Sequence, residues 1–155
     1  LSLLFFIKAK GADVAAKRLT NFQKGLIRRE KSILKDMGEE VVGRSREDYL
    51  SGPRPKKLGR VSGNLARTLY YRVNRGRVDV GSKLPYAPVH EFGATIRATR
   101  APFLRFKTRD GMWHSKKKVK IPARPFLRPA LADALSKGSL RSILLDHIAA
   151  AMRTA

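Results

Sequence analysis

The chain of 155 residues has no cysteine. Disulfides, thiolate zinc sites and cysteine nucleophiles are therefore excluded, and a cytosolic life is permitted. Acidic residues are scarce: 12 Asp and Glu stand against 34 Lys and Arg, for a net charge of +22. Long apolar runs are also missing. No uninterrupted run is longer than Leu3 to Ile7, and a bilayer-spanning helix needs about 20 residues. No basic segment precedes that run and no small-residue cleavage site follows it, so no secretory signal and no membrane partner are expected. Hydrophobic residues nevertheless make up 43% of the chain, enough for a folded protein. The length suits a single domain, residues 1–155, with a modest core.

The positive charge is unevenly spread. Residues 51–83 hold nine basic residues and one acid, and residues 97–128 hold eleven and one. Residues 1–50 hold eleven and seven, close to an ordinary mixed surface. The middle of the chain should therefore face something negative, either nucleic acid or an acidic protein surface.

The pattern of apolar residues predicts an α+β fold with a small antiparallel sheet, a long N-terminal helix, a basic β-arm and a helical C-terminus. Residues 2–8 read as a buried strand, because both faces are apolar. Asp13 is placed to cap a helix in which Leu19, Phe22, Leu26, Ile33, Met37 and Val41 form one stripe, running to about Tyr49. Gly25, Gly38 and Gly43 are candidate bend points. Residues 51–61, with two prolines and two glycines, read as a linker. Ser62 is placed to cap a short helix to about Leu69. Tyr71–Val73 and Val78–Val80 read as a hairpin turning at Asn74-Arg-Gly76. Residues 97–120 form the basic arm, with a turn at Asp110-Gly111 between Phe103–Lys107 and Val119–Ile121. Pro125 and Phe126 then lead into a helix carrying Leu127, Leu131 and Leu135 at four-residue steps. Gly138 separates it from a last amphipathic helix marked by Leu140, Ile143, Leu144, Ile148 and Met152.

Two stretches stand apart: Tyr86-Ala-Pro-Val-His-Glu-Phe-Gly93 and Ile121-Pro-Ala-Arg-Pro-Phe-Leu-Arg-Pro-Ala-Leu131. Each sets aromatic residues beside proline or glycine, a combination that pins a loop to a core. Tyr86, His90, Glu91, Phe92, Gly93, Pro125, Phe126 and Leu127 are the candidate structural anchors. Tyr86, Phe92, Phe126 and Leu127 among them are expected to be buried, with Glu91 paired to an arginine and His90 hydrogen-bonded within a turn.

Together these stretches resemble the tail-completion (virion morphogenesis) proteins of tailed bacteriophages. Val80-Gly81-Ser82, Tyr86-Ala87, His90-Glu91-Phe92-Gly93 and Ile121 to Leu127 follow the order of that family's elements, over roughly residues 2–135. Leu58 to Leu65 matches a further element, with Ser62 where threonine is commoner. The resemblance implies a structural virion protein of the phage neck or tail top, assembled in the bacterial cytoplasm. It implies a six-fold ring around the DNA channel, which joins head to tail. Its partners would be copies of itself, connector or head-closure proteins, the tail tube or tail terminator, and passing DNA touched non-specifically. Three neck layers stay open: tail completion, tail terminator and head closure.

Enzymatic readings find little support. A zincin would need a second histidine four residues after His90, and position 94 is alanine. There is no nucleophile elbow, P-loop or dinucleotide fingerprint, so no catalytic residue, metal or cofactor is expected. Nucleic-acid binding is the rival function. Arg97, Arg100, Arg105, Lys107, Arg109, Lys116, Lys117, Lys118 and Lys120 could meet phosphates, with Phe103, Phe106 and Trp113 interleaved as stacking platforms. The competing reading buries the two phenylalanines inside the arm or an interface.

Overall fold

A computed structural model describes residues 11–52, 58, 62–108 and 110–154. The expected strand at residues 2–8 and most of the linker lie outside them. Helix α1 spans Ala12–Arg44 and runs on into a π-helical turn, Ser45–Tyr49. Gly11, at φ 94°, precedes the helix. Asp13 makes no cap hydrogen bond, contrary to expectation. It sits in the first turn, where its charge still favours the positive end of the helix dipole.

Gly38 is a point of close approach rather than a bend. Here α1 crosses the hairpin of β1 (Leu69–Asn74) and β2 (Arg77–Ser82). A Cβ on Gly38 would lie 2.8 Å from Val78 Cγ2 and 2.9 Å from Tyr71 Cβ. Neither neighbour is the free end of a flexible chain. Gly38→Ala should therefore destabilise the protein by about 1–3 kcal/mol through overpacking, despite alanine's better helix propensity. A raised melting temperature in Gly38→Ala would show that the helix can slide away.

The β1–β2 hairpin forms where expected, with Asn74 drawn into the ladder opposite Arg77 and Arg75 and Gly76 (φ 69°) left as a two-residue turn. Short helix α2 (Asn64–Arg67) precedes it. Its N-cap is Gly63, whereas Ser62 Oγ accepts a long bond from the Asn64 N–H at 3.4 Å. Arg46, from the π turn, closes the other end: Nε donates to Ala66 O and Nη2 to Leu69 O, both at 2.9 Å. The core gathers Val42, Leu50, Leu58, Leu65, Ala66, Leu69, Ala87 and Phe126, with Tyr49, Tyr71, Val80, Leu84 and Leu127 packed around it. Leu58 thus belongs to the core although it lies in the expected linker.

Helix α3 (Ala87–Phe92) is followed by four short strands: β3 (Ala94–Arg97), β4 (Leu104–Lys107), β5 (Trp113–Lys116) and β6 (Lys118–Ile121). In place of one small sheet there are three two-stranded antiparallel ladders among the described residues: β1–β2, β3–β6 and β4–β5. The pairing expected across Asp110-Gly111 is corrected. Leu104–Lys107 pairs with Trp113–Lys116, and Val119–Ile121 returns to Ala94–Ile96. The arm is therefore a longer folded-back hairpin with a base ladder and a tip ladder. Tight closure at Gly111 (φ 85°) brings β5, rather than β6, beside β4.

Helices α4 (Arg128–Ser136) and α5 (Ser139–Arg153) complete the chain and pack on α1. Their leucine stripes do not mark the most buried positions. Instead α4 buries Ala130 and Ala134 and leaves Leu131 and Leu135 exposed. On α5, Ala151 is buried while Leu144 and Met152 are exposed. At Ala151 the cause is close helix contact: a Cβ on Gly25 would sit 3.5 Å from Ala151 Cβ, a spacing that large side chains would prevent. No helix among the described residues is long and apolar enough to cross a membrane.

Candidate functional site

The two motifs are halves of one clamp. Helix α3 ends at Gly93, with φ 75° and ψ 164°. Any Cβ there would meet Ala123 N at 2.9 Å and Ile121 O at 3.1 Å, so glycine is needed for β6 and its extension to lie alongside. The returning chain is fastened by Arg124, whose N–H donates to His90 O at 2.7 Å.

Glu91 then joins the motifs directly. Its Oε2 accepts the backbone N–H groups of Phe126 (2.8 Å) and Leu127 (3.0 Å). Its Oε1 accepts the Arg128 backbone N–H (3.0 Å) and Nε (3.2 Å), while Arg128 Nη2 donates to Glu91 O (3.1 Å). A helix leaves its first N–H groups without intrahelical partners, and α4 has no capping side chain of its own at Leu127. A carboxylate from 35 residues upstream does that work, at the positive end of the helix dipole. Glu91 is 5% exposed. Burial alone would push its carboxyl up, but the three backbone donors and the Arg128 guanidinium outweigh burial and hold it below the usual carboxylate range.

The other expected anchors divide. Phe126 is 1% exposed and sits in the core, and Leu127 packs against that core from a half-buried position. Pro125 is exposed. Two burial expectations are corrected: Phe92 is 65% exposed and Tyr86 is also exposed. Adjacent residues on a single helical turn cannot both face inward, and Glu91 takes the inward place. Phe92 instead lies under the Arg128 guanidinium, 4.9 Å from its ring centroid. Tyr86 meets the His90 ring edge-on at 5.8 Å. The clue to the clamp was in the sequence: Pro-Phe-Leu-Arg-Pro opens a helix with no Ser, Thr, Asp or Asn to cap it.

The arm is the second part of the site. From residue 94 to residue 121, no described residue is buried. Ile96, Phe103, Met112 and Trp113 are exposed large apolar side chains. Each ladder has one face that is wholly exposed. On the base ladder it carries Thr95, Arg97, Lys118 and Lys120. On the tip ladder it carries Arg105, Lys107, Trp113 and Ser115, with Arg105 5.6 Å from the Trp113 ring centroid. Phe106 stacks on His114 across the other tip face, half-buried within the arm. Arg100 and Lys116 are exposed, as is Lys117, whose carbonyl accepts the Ala98 N–H at 3.0 Å. Arg109 lies outside the described residues.

The profile of the phage virion morphogenesis family matches residues 44–149, a stretch that includes both halves of the clamp and the whole arm. The chain belongs to that family. It is a structural protein of virion morphogenesis, associated with phage head and tail assembly, and not an enzyme. No curated protein and no solved structure matched the chain in the parallel comparisons.

Proposed function

We propose that this virion morphogenesis protein works in the neck, as a single-domain subunit (residues 1–155) of a ring around the DNA channel that completes the tail and joins it to the head. The observation that carries this reading is the arm. An isolated two-stranded hairpin is at best marginally stable in water. This one has no buried residue among those described, exposes four large apolar side chains, and bears nine basic residues against one acid across residues 97–120. Such an arm gains its stability from a surface outside its own protomer. A ring subunit supplies one, and an acidic connector, head-closure, tail-terminator or tail-tube surface would supply another. Six-fold symmetry follows the resemblance of the motifs. The clamp serves the same end, because Gly93, Arg124 and Glu91 lock the root of the arm to the core.

Replacing residues 99–116 with Asn-Gly should close β3 onto β6 as a tight hairpin and leave the body intact. The expected product is a folded monomer, with near-unchanged thermal melting, that neither assembles nor completes infectious particles. Rings and full infectivity from this variant would sink the neck reading.

A nucleic-acid role is supported by one specific feature, the exposed Trp113 indole beside Arg105. Phosphate attraction alone gives weak, non-specific binding that falls by orders of magnitude between about 50 and 200 mM salt. Binding to single-stranded DNA that survives near-physiological salt and collapses in Trp113→Ala would favour this second role.

A further inference from the structure

Charge along α1 is polarised in a way that the totals for residues 1–50 conceal. Between residues 12 and 35 there are seven basic residues and two acids. Between residues 36 and 48 there are five acids, Asp36, Glu39, Glu40, Glu47 and Asp48, against Arg44 and Arg46. Arg46 is turned inward onto the carbonyls of Ala66 and Leu69. Arg44 is engaged by Glu40 and Asp48, while Glu39 and Glu47 remain exposed. The pair between Lys35 and Glu39, at 3.7 Å with both side chains over half exposed, is a weak surface contact. In a chain of net charge +22, the C-terminal end of α1 with its π turn is thus a locally acidic surface.

The exposed face of the arm has the complementary chemistry. Arg97, Lys118 and Lys120 share one face of the base ladder and make no ion pair among the described residues. Within one protomer, among the described residues, α1 packs mainly on β1, β2, the π turn, α4 and α5 rather than on the strands of the arm.

We propose that the basic face of the arm docks on the acidic end of α1 in a second copy of this chain. This rests on the ring reading and names the receiving surface. Donor and receiver are different patches of the same chain, so the contact is heterologous. A heterologous contact repeats from subunit to subunit and closes a ring when its rotation allows, whereas an isologous contact stops at a dimer. Steering by opposite charge would also make assembly rate sensitive to salt.

The test is a charge exchange followed by sedimentation. One variant carries Arg97→Glu, Lys118→Glu and Lys120→Glu, and the other carries Glu39→Lys and Glu47→Lys. All five positions are exposed; the second variant also gives up the bond that the Tyr71 hydroxyl donates to Glu39 Oε1 at 2.8 Å, so both variants should stay folded with at most a small drop in melting temperature, and melting curves verify this. Each variant alone should sediment as a monomer under conditions where the parent forms rings. An equimolar mixture should regain the parent's sedimentation, because opposite charges then meet at every interface. Normal rings from the Glu39→Lys, Glu47→Lys variant, or a mixture that stays monomeric beside an assembling parent, would overturn the proposal and leave the ring reading standing. A parent that stays monomeric even with tail tubes added would overturn both.

Discussion

Phe126→Ala should lower stability by about 3–5 kcal/mol, while Phe92→Ala should change it by about 1 kcal/mol or less. The two phenylalanines are equally prominent in their motifs, yet their surroundings differ. Phe126 is enclosed by a cluster drawn from α1, α2, β1 and α3, so truncation leaves a cavity that those elements cannot readily fill. Phe92 loses a cation–π contact with Arg128 at an exposed site and little else. For a chain of this size, 1 kcal/mol corresponds to roughly 2–4 °C in Tm. Phe126→Ala should therefore melt roughly 6–20 °C below the parent, with Phe92→Ala close to it. Equal losses in the two variants would mean that the HEFG aromatic is a core residue after all.

Glu91→Gln is expected to cost about 3 kcal/mol at neutral pH, and that cost should shrink on acidification. A glutamine fits the space but keeps one acceptor oxygen. Its amide group would point N–H at N–H, leaving donors at the start of α4 without partners. The pH dependence follows from the direction of the shift. The folded carboxyl titrates below its ordinary value of 4.5. A depressed carboxyl contributes stability that is present above its unfolded pKa and is lost as pH falls through the folded one. The gap between parent and Glu91→Gln should thus be full above about pH 5 and narrow below about pH 4. Glu40 and Asp133 are also held low, by Arg44 and by Tyr49 with Lys137 respectively, so the parent should lose further stability in acid. Denaturant melts of both proteins across this range would test the clamp. A gap that stays constant from pH 7 to pH 3 would mean that the Glu91 charge is not what holds α4.

Much of the local structure was readable because its causes are local. Asn74-Arg-Gly76 fixes a hairpin by turn chemistry, Gly93 and Gly138 mark helix boundaries by accepting positive φ, and the apolar stripe of α1 gives the helix its period. The leucines of α4 show where such reading stops, for an equally physical reason. Periodicity identifies a helical face, but it does not say whether that face meets the core. Here the buried positions are Ala130, Ala134 and Ala151, the last of them where α5 comes close to Gly25 of α1, and larger side chains such as Leu131 and Leu135 stay outside. Strand pairing in the arm also escaped the sequence, since β6 is compatible with either β3 or β4 until the tip turn closes.

The sequence by itself determined the class of molecule: a basic, cysteine-free α+β protein carrying the motifs of phage virion morphogenesis. Those properties are set by composition and by residues close together along the chain. The tertiary structure decided what the motifs do. It turned His-Glu-Phe-Gly into the cap of a helix that starts more than thirty residues later, and put Phe126 rather than Phe92 in the core. It also left the described residues of the basic arm without a buried one. Such outcomes depend on which distant donors, acceptors and surfaces meet once the chain has folded, and no periodicity or spacing encodes that directly.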